Sequence, residues 1–125
     1  MRFFIIYIIL IISTACSSKQ QAQSGTTIKD NEYTLSVSFI SKGQGINRSK
    51  HQDFTNFIQK FNSQNNVNIT PESYSWGREG ERDYCFKLEN LDSKIVQNFI
   101  SESKELLKNS ELVLYNENGQ CRHKR

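Results

Sequence analysis

Two apolar stripes with a helical period, each set between runs that alternate, decide most of what this chain can become. Phe54, Phe57, Ile58 and Phe61 fall at i, i+3, i+4 and i+7, which predicts one buried face on a helix over residues 48–63. A second stripe, Ile95, Val96, Phe99, Ile100, Ser103, Leu106 and Leu107, follows Asp92 and Ser93, either of which can cap a helix N-terminus. Lys104 and Lys108 near the end of that stripe complement the helix dipole. Tyr33, Leu35, Val37 and Phe39 alternate with polar residues and predict a half-buried strand. The stretch from Val67 through Pro71 to Tyr74 and Trp76 is extended. It meets the alternating Tyr84, Phe86 and Leu88 across the turn Gly77-Arg78-Glu79-Gly80, so the two runs read as a hairpin. Leu112 to Tyr115 is the last strand, followed by a turn at Asn118-Gly119.

The order strand, helix, strand, strand, helix, strand makes two βαβ halves. It predicts an α+β ferredoxin-like sandwich, a four-stranded antiparallel sheet with both helices on one face. Right-handed crossovers set the strand order 4-1-3-2. Tyr33, Leu35, Val37 and Phe39 then face the helices, while Ser36, Ser38, Ser73, Ser75, Asp83 and Cys85 face away. Such an open face is small and polar, and the expectation is a monomer.

Ahead of this domain, Met1-Arg2 supplies a positive start and Phe3 to Ile12 is an unbroken apolar run of ten residues. That is about half of the ~20 residues a membrane-spanning helix needs, and it fits the apolar region of a signal peptide. Ser13-Thr14-Ala15-Cys16 closes it and resembles the lipobox of bacterial lipoproteins. The resemblance implies cleavage before Cys16, acylation of that cysteine with chains such as palmitate, and a mature protein held on a membrane of the cell envelope. Residues 17–31, rich in Ser, Gln and Thr and without an apolar period, are expected to be a disordered tether reaching roughly 20 Å. The domain itself is expected over residues 32–125.

Without the leader, 15 basic side chains stand against 13 acidic ones, and three of the basic ones belong to the closing Arg122-His123-Lys124-Arg125. The body of the domain is therefore slightly acidic, which argues against a nucleic-acid binder. The basic end reads as a solvated tail.

Cys85 and Cys121 remain as an even pair, and in an oxidising envelope they are expected to form a disulfide, free thiols being the alternative. Strand one stands between them, and two inter-strand steps, roughly 9.6 Å, exceed the reach of a disulfide. A direct bridge between regular strands is thus excluded, and the expectation is that a turn at Asn118-Gly119 sends the tail back across the open face. Cys, His and acidic residues do not fall at metal-ligand spacing, and no cofactor is implied. His51 and His123 read as surface imidazoles.

Two loops are candidates for function. Trp76, Arg78, Glu79 and Arg82 at the hairpin tip are residue types that dominate or frame protein-binding surfaces. Gly43, Gly45 and Arg48 lie where the first strand turns into a helix, a place where backbone N–H groups can hold an anion. Lys42-Gly43-Gln44-Gly45-Ile46-Asn47-Arg48 is similar to the phosphate loop of acylphosphatases, in which a Gln-Gly pair precedes a phosphate-binding arginine. That resemblance implies a small phosphohydrolase using residues 43–48. The reading preferred from the sequence is a non-catalytic, membrane-anchored lipoprotein that binds another protein or an envelope component, an immunity-type inhibitor being one such case.

Overall fold

The computed structural model describes residues 32–124, so the leader, Cys16 and the tether lie outside the described residues, as does Arg125. The elements run β1 (Glu32–Phe39), α1 (Arg48–Asn65), β2 (Glu72–Ser75), β3 (Arg82–Phe86), α2 (Ser93–Leu107) and β4 (Val113–Gln120). The sheet order is β2-β3-β1-β4 with every neighbouring pair antiparallel, the α+β ferredoxin-like arrangement expected from the element order.

Each helix is set by its caps. Asn47 Oδ1 accepts from the Lys50 N–H at 3.0 Å, and Asn66 ends α1 in the left-handed region at φ 52. That cap places the end of α1 at Asn65, two residues beyond the expected end at 63. Asn62 then holds the outgoing chain by pairing with both the N–H and the carbonyl of Ile69, each at 2.9 Å. Asp92 caps α2 by accepting from the Lys94 N–H at 2.9 Å. Ser103 is fully buried on α2 and returns its hydroxyl to the Ile100 carbonyl, so no polar group is stranded there.

The core lies between the helices and one face of the sheet. Leu35, Val37, Phe39, Tyr84 and Phe86 from β1 and β3 meet Phe54, Ile58 and Phe61 of α1 and Phe99 and Leu107 of α2. Phe99 sits at its centre, 5.2 Å from both Phe61 and Phe86 by ring centroids. Burial of one such phenyl ring is worth about 1.5–3 kcal/mol.

Three expectations about the sheet are corrected. β4 does not turn at Asn118-Gly119: Gly119 pairs with Tyr33 and Gln120 with Glu32. As an edge strand, β4 needs only backbone ladder bonds to one neighbour, so its exposed polar stretch gave no sign of a strand. The ladder does skip Thr34 opposite Asn118, whose φ is 51. Beyond this break Tyr33 does not join the helix-facing core but a second cluster with Cys85, Cys121 and Tyr74.

β2 is also turned over. Ser73 pairs with Tyr84 and Tyr74 with Asp83, and directly paired residues share a face. Glu72, Tyr74 and Trp76 therefore lie on the open face and Ser73 on the helix side. The open face is not small and polar but carries three aromatic rings.

Cys85 and Cys121 are bonded, with Cα atoms 5.8 Å apart. Closing the 36-residue separation disfavours the unfolded chain by roughly 4 kcal/mol on the chain-entropy model. The closing residues cross the open face, as the bridge requires, and do not form a solvated tail. His123 reaches Asp83, and Lys124 Nζ lies 2.7 Å from the Tyr33 hydroxyl.

Candidate functional site

Phe39, the last residue of β1, is paired with Arg82, the first of β3, and Arg82 is paired with Ser75, the last of β2. The loops 40–47 and 76–81 must therefore leave the same end of the sheet, opposite Glu32. The two candidate loops, far apart in sequence, become one surface.

Ser41 organises the first loop. Its hydroxyl accepts from the Gly43 N–H at 3.1 Å and the Gly45 N–H at 3.0 Å, and it donates to the Glu79 carboxylate. Gly43 N–H also donates to Glu79 Oε2 at 3.2 Å. Both glycines have positive φ, 97 and 83, which explains why they stand there. The amides that would cradle an external anion are thus turned inward, onto a hydroxyl and a carboxylate of the protein itself.

Glu81 organises the second loop. It is 8% exposed, and its carboxylate accepts from the Glu79 N–H at 2.8 Å while its carbonyl accepts from the Trp76 N–H at 3.0 Å. Gly77 has φ 67, and a Cβ there would stand 2.3 Å from the Glu81 carboxylate. The positive φ favours glycine at 77, and a side chain there would displace the Glu81 carboxylate from the Glu79 N–H.

Between the loops lies a depression of about 620 Å³, with Gly45, Arg48, His51, Arg78, Glu79 and Gly80 on its walls. His51 is not the surface imidazole expected. It is half-buried, stands edge-on to Phe39, and has Nε2 2.6 Å from the Tyr84 hydroxyl. Burial, and then the charge of Arg82, pushes its pKa below 6.5, so the ring is neutral at pH 7. The positive charge of the depression comes from Arg48 and Arg78, and Glu79 is committed to Ser41 and Gly43.

The hairpin-tip group is divided. Arg78 and Glu79 belong to the depression. Arg82 lies in β3 beside His51. Trp76 turns onto the open face, where its Nε1–H donates to Asp83 Oδ1 at 2.9 Å and its ring stacks on His123 at 3.8 Å. Asp83 is the residue that sequence reasoning passed over. Strand alternation placed it outward, but the tail buries it completely, and His123 donates to Oδ2 from its N–H at 2.9 Å with Nδ1 2.8 Å away.

A second depression, of about 540 Å³, lies at the opposite end of the sheet, where Leu88, Leu91 and Val96 adjoin Glu32. Among the described residues no group of three His, Cys, Asp or Glu side chains is placed to hold a metal ion, and no helix is long and apolar enough to cross a membrane. No family model, no curated protein and no solved structure matches the chain.

Proposed function

We propose that this protein is an exported lipoprotein, anchored through Cys16, that binds a protein partner of the envelope through the depression between residues 40–47 and 76–81. The observation that carries the reading is positional. The chain enters the domain at Glu32, and the two candidate loops join at the other end of β1, eight residues away. At about 3.3 Å per residue, that separates the tethered end from the loops by roughly 25 Å. A domain tethered at Glu32 carries this surface at the end remote from its attachment, where the tether does not obstruct it.

The disulfide supports an oxidising compartment, since such bonds persist outside the cytosol. Arg48 and Arg78 give the surface its chemistry, and guanidinium groups favour carboxylates in planar, two-bonded pairs. The partner is accordingly a protein with an acidic contact patch. Hydrolysis of acyl phosphates is the weaker reading, because the Gly43 amide is already engaged by the Glu79 carboxylate.

The test is capture from the native membrane fraction with full-length protein in detergent, comparing wild type with the Arg48→Glu, Arg78→Glu double variant. The reading requires a species retained by wild type and lost from the variant. Equal retention by both removes the depression as the binding surface.

A further inference from the structure

The closing residues of the chain are built into the fold more thoroughly than a tail needs to be. Cys121 is joined to Cys85 on β3. Only Arg122 separates Cys121 from His123, whose ring lies on Trp76 with centroids 3.8 Å apart and planes inclined by 23°. The same histidine supplies two of the groups around the buried Asp83 carboxylate, and Trp76 supplies the third. Lys124 adds a contact to the Tyr33 hydroxyl. Trp76 is thus covered on one ring face by a segment whose position is fixed by one covalent bond two residues away.

We infer that the Cys85–Cys121 disulfide is a latch, and that its reduction lifts residues 121–124 off the open face and uncovers Trp76. The bond keeps His123 at a high effective concentration beside Asp83 and Trp76. Without it, the strap keeps only the solvent-accessible contacts of His123 and Lys124, and the last ladder pair of β4 is Gln120 with Glu32 at the sheet end. Water replaces His123 at the Asp83 carboxylate once the strap leaves, so opening strands no charge in an apolar site. The core between helices and sheet is a separate cluster that contains neither cysteine. It stays intact when the strap opens.

The chemistry is thiol–disulfide exchange with a dithiol reductant. A thiolate of the dithiol attacks the Cys121 sulfur, the more exposed of the two at 7% against 1%. The sulfur–sulfur bond breaks and Cys85 leaves as a thiolate, which takes a proton. The second thiol of the reductant then closes on the mixed disulfide and frees Cys121. Two electrons and two protons pass to the protein, and the dithiol departs as its own disulfide.

Trp76 stands two residues before Arg78 in the chain, so the open form offers, beside the hairpin that carries Arg78, an aromatic anchor that the latched form covers on one face. That consequence rests on the partner reading; the latch itself does not, and it is measured with no partner present.

The chain has a single tryptophan, so its fluorescence reports the strap directly. Full-length protein in detergent is compared in four states: air-oxidised, reduced by excess dithiothreitol, Cys121→Ser, and oxidised His123→Ala, which calibrates an uncovered ring with the bond in place. Acrylamide quenching reads exposure of Trp76, and far-UV circular dichroism reads the fold. The expected result is a several-fold higher quenching constant in the reduced, Cys121→Ser and His123→Ala samples, with unchanged dichroism. A ring still shielded after reduction overturns the latch, because the strap then holds without the bond. Loss of dichroism on reduction overturns it too, because the bond is then a staple of the whole fold. Free thiols in the oxidised sample, or no change in His123→Ala, would do the same.

Discussion

The N–H of Gly43 donates to the carboxylate of Glu79, 3.2 Å away and 36 residues further along the chain. Together with the Ser41 hydroxyl, which donates to the same carboxylate, this contact joins the two loops that the sequence offers separately as candidate sites. It also gives the loop amides an internal anion.

The first prediction follows from that contact. Wild-type protein releases no phosphate from an acyl phosphate above the uncatalysed rate, and Arg48→Ala changes nothing. Glu79→Ala loses the bonds to Ser41 and Gly43 and costs about 0.5–1.5 kcal/mol of stability, the usual net worth of such a bond in a solvent-accessible place. Urea denaturation and a phosphate-release assay read the two results. Turnover that disappears in Arg48→Ala contradicts the assignment.

Glu72 makes acid the sensitive side of the open face. Its carboxylate accepts from the Tyr74 and Tyr33 hydroxyls, with Lys124 near, and these hold its pKa at about 2 against an ordinary 4.5. A depressed acid contributes stability that is present above pH 4.5 and is lost as the pH falls toward 2. The side chain is 42% exposed, so solvent screening keeps the contribution small. The reciprocal effect raises Tyr74 to about 12, and stability held there is lost as the pH climbs above 10. Urea midpoints measured from pH 2 to 6 should fall on the acid side in wild type and fall less in Glu72→Gln. Identical acid limbs for the two proteins would remove Glu72 as the cause.

Anchoring is tested by Cys16→Ser. The expected outcome is loss of metabolic acyl labelling and movement of the protein out of the membrane fraction, or retention of an uncleaved precursor. Labelling that persists in the variant contradicts lipidation at Cys16.

Most of the fold was legible because helical and strand periods are written in the residues that fill the core. Phe54, Phe61 and Phe99 fixed both helices, and the alternation of β1 and β3 fixed the central pair. What escaped was decided by contacts between distant segments. β4 extends to Gln120 through backbone pairing with β1, for which Asn116, Asn118 and Gly119 carry no side-chain signal. The face of β2 is set by its register against β3, so the apolar content of Tyr74 and Trp76 pointed to the wrong side. Asp83 and His123 are 40 residues apart, and only the disulfide and the crossing tail bring them together. Of the candidate residues, Gly45, Arg48, Arg78 and Glu79 line one depression. Trp76 lies instead on the open face, against Asp83 and His123.

The most direct test of the binding surface places a photo-crosslinking amino acid at Arg78 in one strain and at Gln97, beside the depression at the Glu32 end, in another. Both strains are irradiated with the protein in its native membrane, and adducts are read by gel and mass spectrometry. A discrete protein adduct is expected from position 78 that disappears when Arg48→Glu is added, and none from position 97. Adducts from position 97 alone, or position-78 adducts indifferent to Arg48→Glu, would contradict that surface.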